Sequence, residues 1–145
     1  MNAPEARRLL EEASEGWFAD PESDVIWVGD YEGRRGVRLR LSEGEPATVW
    51  FKVGERTVAV EAFILPSPPA ERREEVYRQC LARNTSFRRL HLALDRRGDV
   101  VLIGRVPLRE VDEAELELLL GEMHEGLAIA RPALARAAFE REKMR

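Results

Sequence analysis

The chain has little of the chemistry that marks a disulfide-bonded, exported or membrane-spanning protein. Its single cysteine excludes a disulfide within the chain. No apolar stretch approaches the roughly 20 residues that a helix needs to cross a bilayer. Residues 1–17 carry charge throughout and lack the apolar segment of a signal peptide. Together these absences predict a cytoplasmic protein without a membrane segment.

Residues that bind metals or phosphates are equally scarce. His91 and His124 are the only histidines, and neither has a second histidine or cysteine at ligand spacing. The glycine-containing stretch GDYEGRRG, residues 29–36, lacks the lysine and hydroxyl residue of a phosphate-binding loop. The net charge of −4 is opposite to the basic surplus typical of nucleic-acid binders. The sequence therefore predicts no metal, no cofactor and no general affinity for nucleic acid.

What is present is the composition of a globular protein: 145 residues, 44% of them hydrophobic and 34% charged. This length suits one domain, 1–145, long enough to bury about two-thirds of the surface that the unfolded chain exposes. Of the 23 basic residues only Lys52 and Lys143 are lysines. Arginine therefore supplies most of the positive charge, as planar groups suited to ion pairs.

Apolar residues three and four positions apart predict two helices in the first half of the chain. The first helix has Pro4 in its first turn and ends at Asp20, which precedes a proline. The second is predicted to begin at Ser67, a capping residue followed by two prolines, and to end near Arg83.

A third helix follows near the end of the sequence. Asp112 and Glu115 have the spacing of a capping box, which indicates its first turn and gives the local acidic run a structural explanation. Pro132 is expected to kink or break this helix. Residues 132–145 then continue as a final helical segment.

Between the helices the apolar residues alternate with a period of two, which is typical of strands. Three or four strands precede the second helix, with a type II′ turn predicted at Gly54-Glu55. Two more follow as a hairpin around Gly98. The predicted fold is α+β, an antiparallel sheet of five or six strands in α-β-β-β-α-β-β-α order with helices packed on one face.

The predicted turn sets the pairing of the strands beside it. Trp50 is expected opposite Ala59 and Lys52 opposite Thr57. One face of the sheet is then apolar and meets the helices, while the other is mixed. The mixed face is predicted to carry Arg38, Arg40, Trp50, Phe63, Leu65, His91, Val101, Ile103 and Arg105. It is more apolar than a freely solvated surface needs to be, which suggests that a helix of the chain or a partner covers it.

Trp50 is the centre of the predicted functional site. A tryptophan between arginines can anchor a partner, and each cation–π contact contributes about 0.5–2 kcal/mol. The alternative is a stack within the chain or coverage by one of its own helices. The candidate interaction face comprises Trp50, Arg38, Arg40, Lys52, Glu61 and His91, and no catalytic residue is predicted.

The stretch VYRQCLARN, residues 76–84, contains the single cysteine. A reactive thiol needs a lowered pKa and a nearby base. Helical spacing instead places Cys80 on an inward stripe with Val76, Tyr77 and Leu81, so a core role is predicted. Asn84 is predicted to cap the helix end or to bond a turn through its side chain.

Five stretches resemble the actinobacterial type of the YbjN family, which is similar in fold to the type III secretion chaperones. They are GVRLRL, TVWFKVGERTVAVEAFILP, VYRQCLARN, LALDRRGDVVLIGRVP and DEAELELLLGEM. The resemblance covers Val25 to Met123. It implies helices on an antiparallel sheet, often a homodimer, and no known active site. The family is described as a sensory transduction regulator, and its secretion relatives bind unfolded segments of effector proteins.

These observations favour a non-catalytic, protein-binding chaperone-like or regulatory domain that forms a homodimer. The partners implied are a second copy of the chain and a protein or unfolded segment, with no membrane. The alternative is a sensor that binds a small ligand or nucleic acid through the arginine-lined face, since guanidinium groups match phosphates. An enzyme has the least support.

Overall fold

The computed structural model describes residues 1–140 as a six-stranded antiparallel sheet with three α-helices. The elements are α1 (Ala3–Ala19), β1 (Val25–Tyr31), β2 (Arg34–Leu39), β3 (Ala47–Val53), β4 (Thr57–Leu65), α2 (Arg73–Asn84), β5 (Leu90–Leu94), β6 (Val100–Pro107), the 3-10 helix Leu108–Glu110 and α3 (Glu113–Phe139). The strand order is β1-β2-β3-β4-β6-β5, so β1 and β5 are the edges. The predicted α+β class is confirmed, with four strands rather than three before α2.

The hydrophobic core lies between one face of the sheet and the helices α1 and α3. Alternate residues of β3, such as Val49 and Phe51, point into it. Trp17 of α1 packs against Phe51 with ring centroids 6.3 Å apart. Met123 and Leu127 of α3 are fully buried in the same core. Helix α2 lies beside β5 and α3. In the described part of the chain, no helix is long and apolar enough to cross a membrane.

The start predicted for α2 is wrong. Helix α2 begins at Arg73, after an Arg72 cap without a side-chain bond. The backbone N–H of Ser67 donates instead to Asp99, at 3.0 Å. Ser67 and Pro68 each precede a proline, and a residue in that position is disfavoured in the helical conformation. The helix therefore begins only after the two prolines and one further turn.

Helix α3 runs without a break through Pro132, so the break expected there does not occur. Ala130 and Leu134, on either side of the proline, are fully buried, and their packing offsets the lost backbone hydrogen bond. At the other end the Asp112 carboxylate accepts from the Glu115 N–H at 2.7 Å, as predicted. The part of the predicted last segment beyond residue 140 lies outside the described residues.

The β3–β4 turn is displaced by one residue from its predicted place. The backbone N–H of Gly54 donates to the carbonyl of Thr57 at 2.8 Å, so Glu55 and Arg56 form the turn. Gly54 does not have a positive φ, which a type II′ turn starting there would need. Trp50 consequently lies opposite Glu61, and Lys52 lies opposite Ala59. Because the pairing slips by two positions, each side chain keeps its predicted face.

Two register shifts alter the faces themselves. One lies between Val25 and Trp27 in β1 and brings Trp27 opposite Arg38, away from the core. The other lies between Phe63 and Leu65 in β4. Leu65 therefore packs in the core, and the prediction that it lies on the mixed face is wrong. Such irregularities insert a residue into one strand and reverse the alternation beyond it.

Asn84, the last residue of α2, closes part of the β5 edge. Its amide nitrogen donates to the carbonyl of Leu92 at 3.1 Å, and its amide oxygen accepts from the N–H of Leu92 at 2.7 Å. The left-handed cap considered for Asn84 is wrong, because Asn84 does not have a positive φ. Its side chain instead acts as a short substitute for a neighbouring strand.

Candidate functional site

The sheet face opposite α1 and α3, here called the outer face, is uncovered in the described part of the chain. Trp27, Tyr31 and Phe63 are 42%, 58% and 53% exposed on it. Val101 is buried between neighbouring strands yet lies outside the core cluster. The outer face thus combines a packed floor with large exposed aromatic side chains, which is unusual for a surface that meets only water.

Trp27, Tyr31 and Trp50 form an aromatic cluster at the β1 end of this face. The ring centroid of Trp50 lies 6.4 Å from that of Trp27, in an edge-on arrangement, and 6.2 Å from that of Tyr31. A Cβ atom added to Gly36 would come within 2.7 Å of the Trp50 ring and 2.9 Å of the Trp27 ring. Both indoles therefore lie close against the backbone, where only glycine leaves room for them.

Arg34 is the arginine that stacks on Trp50. Its guanidinium carbon lies 4.8 Å from the centroid of the Trp50 ring, a cation–π distance. The same guanidinium approaches the Glu61 carboxylate to 3.8 Å. Since Glu61 lies opposite Trp50 in the sheet, the three side chains hold one another in place.

Four of the six predicted interaction residues line one groove on the outer face. Trp50, Lys52, Glu61 and His91 surround a cavity of about 790 Å³ together with Arg34, Ile103 and Arg105. The groove crosses the strands from β2 to β5.

The other two predicted residues do not line the groove. Arg38 is exposed beside it, paired with Trp27 and Thr48 in the sheet. Arg40 follows the last residue of β2, and its carbonyl oxygen accepts a hydrogen bond from Nε2 of His124 at 2.9 Å. The stack predicted between Trp50 and these two arginines is therefore made by Arg34 instead.

Sequence reasoning missed three residues of this site: Trp27, Tyr31 and Arg34. Arg34 is the first residue of β2, and its even number places it on the face of Trp50 once the strand is extended to it. Tyr31 is the last residue of β1 and lies opposite Arg34. For Trp27 the alternation pointed to the side of Val25, and only the register shift in β1 turns it outward. Extending the alternation of β2 back to Arg34 would have identified that residue alone, because Tyr31 shares the odd-number alternation of Val25 and is turned outward by the same register shift as Trp27.

Cys80 packs in the core on the other side of the sheet, as predicted. The inward position predicted for Leu81 is wrong, because Leu81 is 71% exposed at the surface of α2. Burial raises the pKa of its thiol, against the smaller opposing effect of the positive charge of Arg83. A thiol in this environment is mainly protonated at neutral pH and is a poor nucleophile. Among residues 1–140, no group of three or more histidine, cysteine, aspartate or glutamate side chains is arranged to hold a metal ion.

The family model that describes a "Putative bacterial sensory transduction regulator", YbjN, matches residues 7–135. The chain belongs to the YbjN family. An uncharacterized protein of Mycobacterium tuberculosis is 42% identical to this YbjN chain over 73 residues, which are 50% of the chain and 39% of the relative. An uncharacterized protein of Mycobacterium leprae is 40% identical over 75 residues. The chain thus spans about two-fifths of the length of these curated relatives.

Solved structures confirm the fold. The crystal structure of "YbjN, a putative transcription regulator from E. coli" superposes with a TM-score of 0.61 at 12% identity, covering 88% of this chain and 91% of that one. The ExsC–ExsE complex contains a chain that superposes with a TM-score of 0.58 at 19% identity, covering 92% of this chain and 96% of the other. The YbjN chain therefore has the type III secretion chaperone-like fold expected from its sequence.

Proposed function

We propose that this YbjN-family chain is a non-catalytic, protein-binding homodimer that holds a protein partner on its outer face. The observation that carries this proposal is the aromatic cluster of Trp27, Tyr31 and Trp50 on the outer face, with both indoles close against Gly36 and with Arg34 stacked on Trp50. Tryptophan, tyrosine and arginine dominate the energetics of protein interfaces. A rigid cluster also loses little side-chain entropy when a partner binds.

The related fold supports a protein partner in preference to a small substrate. In the ExsC–ExsE complex, a chain of this fold is bound to a second protein. The cytoplasmic location and the absence of catalysis are parts of the same proposal, and the sequence and the family support them. No partner of this chain is implied by name, because the likeness to ExsC is a likeness of fold.

Site-specific photo-crosslinking tests where the partner binds. The crosslinking amino acid p-benzoylphenylalanine replaces Tyr31 or Phe63 on the outer face, or Phe18 on α1 as a matched control. Phe18 is 46% exposed, close to Phe63, but lies outside the outer face. We expect protein adducts at the two outer-face positions that disappear when Trp50→Ala is added. Identical adducts from all three positions would contradict the proposed site.

Light scattering tests the dimer separately. At tens of micromolar the homodimer is expected to have twice the chain mass of 16.6 kDa. A mass of one chain across this range would remove the dimer from the proposal and leave the binding face to the crosslinking experiment, because light scattering measures only the mass of the assembly.

The second candidate function is a sensor for a small anionic ligand or a nucleic acid. It is favoured by the presence of Arg34, Lys52 and Arg105 in one groove. Binding of nucleotides or short oligonucleotides that weakens as salt rises would support it. Absence of such binding would eliminate this alternative.

A further inference from the structure

Three basic side chains form a line across the outer face. Lys52 of β3 lies opposite Ala59 of β4, and Ala59 lies opposite Arg105 of β6. Arg35 of β2 pairs with Phe51 of β3. Because these two strands are antiparallel, Arg34, the residue before Arg35, lies beside Lys52, the residue after Phe51. Arg34, Lys52 and Arg105, here called the basic row, thus span four strands, with the small side chain of Ala59 leaving a depression between them.

A second line of side chains runs beside the basic row. Trp50 lies opposite Glu61, Glu61 opposite Ile103, and Ile103 opposite His91. This line offers two apolar surfaces, Trp50 and Ile103, on either side of one carboxylate. The groove of about 790 Å³ lies along both lines. From β2 to β5 it crosses four strand spacings, about 19 Å, which an extended chain covers with about six residues.

The charge of this groove differs from that of the whole molecule. The chain carries a net charge of −4, yet the basic row concentrates three positive groups on one face. Among the described residues, no acidic side chain forms an ion pair with Lys52 or Arg105, whereas Glu61 is engaged by Arg34. The positive charges of Lys52 and Arg105 are therefore available to a ligand, and an acidic ligand complements them.

We propose that the groove binds an extended, acidic peptide segment that runs across the strands. Carboxylates of the segment contact Lys52 and Arg105, and its apolar side chains contact Trp50 and Ile103. This inference rests on the proposed function, because it specifies the chemistry of the partner held by the same face.

The position of Glu61 argues for a peptide over a nucleic acid. Its carboxylate lies in the middle of the groove, and Glu32 lies at the rim. Every nucleotide of a bound strand carries a phosphate, so a strand along the groove would bring phosphates close to these carboxylates. A peptide can place an uncharged side chain over Glu61 and reserve its acidic side chains for the basic row.

Fluorescence anisotropy with designed peptides tests the inference on the full chain. The probes are a fluorescein-labelled hexapeptide that alternates glutamate with leucine or phenylalanine, its glutamine and lysine counterparts, and a labelled short oligothymidylate. We expect the glutamate peptide to bind about tenfold or more tightly than the other two peptides, and its binding to weaken as salt rises.

Reversing the charge of basic-row residues tests whether the glutamate peptide binds there. The double variant Lys52→Glu with Arg105→Glu is expected to weaken binding of the glutamate peptide by about tenfold or more. The matched control reverses Arg7 and Arg8, which are exposed on α1 and outside the groove, and should leave the affinity unchanged. Equal loss in both double variants would show a general effect of net charge and overturn the inference.

The remaining outcomes separate this inference from the proposed function. If the glutamine or lysine peptide binds as well as the glutamate peptide, the acidic partner is wrong and protein binding stands. If no peptide binds but crosslinks form at Tyr31 and Phe63, the inference alone fails. If oligothymidylate binds more tightly than every peptide and no crosslinks form, both fail in favour of the nucleic-acid alternative.

Discussion

At the scale of single residues, Asn84 shows how one side chain can complete a sheet edge. Its amide both donates to and accepts from the backbone of Leu92, as a peptide group of a neighbouring strand would. Aspartate has nearly the same shape but can only accept. Replacing Asn84 by aspartate therefore removes the donated hydrogen bond and keeps the accepted one.

We predict that Asn84→Asp lowers the free energy of unfolding by about 1–3 kcal/mol. The substitution removes the bond to the Leu92 carbonyl and places a negative charge at the C-terminal end of α2, where the helix dipole disfavours it. Urea unfolding measures the change. Asn2→Asp is the matched control, since Asn2 only accepts, from the Glu5 N–H at 2.9 Å. A loss in the control as large as in Asn84→Asp would refute the donor role.

Cys80 is predicted to react with Ellman's reagent only after unfolding, because it is buried and its thiol pKa is raised by burial. A raised folded-state pKa contributes stability that is present below the ordinary thiol pKa of 9.0 and is lost as pH rises through the folded value. Unfolding measured across this alkaline range should therefore show a larger loss of stability in the wild type than in Cys80→Ala. Rapid reaction of the native thiol would contradict the core assignment.

At the scale of elements, the packing of α3 on the sheet depends on Gly126. A Cβ atom there would lie 2.9 Å from Cδ2 of Leu102, which is fully buried in the core. Gly121 lies on the same helix, is exposed, and would meet nothing within 4 Å. Contact between α3 and the sheet thus requires glycine at position 126. Gly121 makes no such contact, and its conformational freedom only destabilises the helix.

We predict opposite effects for the same substitution at these two positions. Gly121→Ala should raise the free energy of unfolding by up to about 1 kcal/mol, through helix propensity. Gly126→Ala should lower it by about 1–3 kcal/mol, because overpacking exceeds that gain. Thermal or urea unfolding of the two variants checks the prediction. A similar gain in both would show that α3 is less closely packed on β6 than described.

At the scale of the whole molecule, one face of the sheet packs against the helices and the other face is exposed. Phe51 and Trp50 are consecutive residues of β3, and they point to the core and to the outer face respectively. Phe51 is 1% exposed and contacts Trp17 of α1, whereas Trp50 contacts only outer-face side chains among its aromatic neighbours in residues 1–140. Stability is therefore concentrated on one face, and recognition is proposed on the other.

This division predicts unequal costs for two neighbouring substitutions. Phe51→Ala should lower the free energy of unfolding by about 3–5 kcal/mol, as expected for a large core side chain. Trp50→Ala should cost about 1–2 kcal/mol, since its ring is half-buried and part of its contact is with Arg34. Denaturant unfolding compares them. A greater loss for Trp50→Ala would mean that the outer face carries the stability of the fold.

The sequence alone determined those features that depend on neighbours along the chain. The period of two identified the strands, and the spacing of three and four placed Cys80 in the core. The alternation also put Trp50, Lys52, Glu61 and His91 on one face, although the predicted turn was displaced by one residue. Those faces were preserved because a pairing slip of two positions does not change which way a side chain points.

Only the tertiary structure decided the features that depend on residues distant in the chain. The register shift in β1 turned Trp27 outward, and packing in the core carried α3 through Pro132. Asn84 found its partner in Leu92 of an edge strand, and Arg34 stacked on Trp50 in place of the two predicted arginines. Local periodicity contains no information on these contacts, because each is set by strand pairing or helix packing that forms only when the whole sheet assembles.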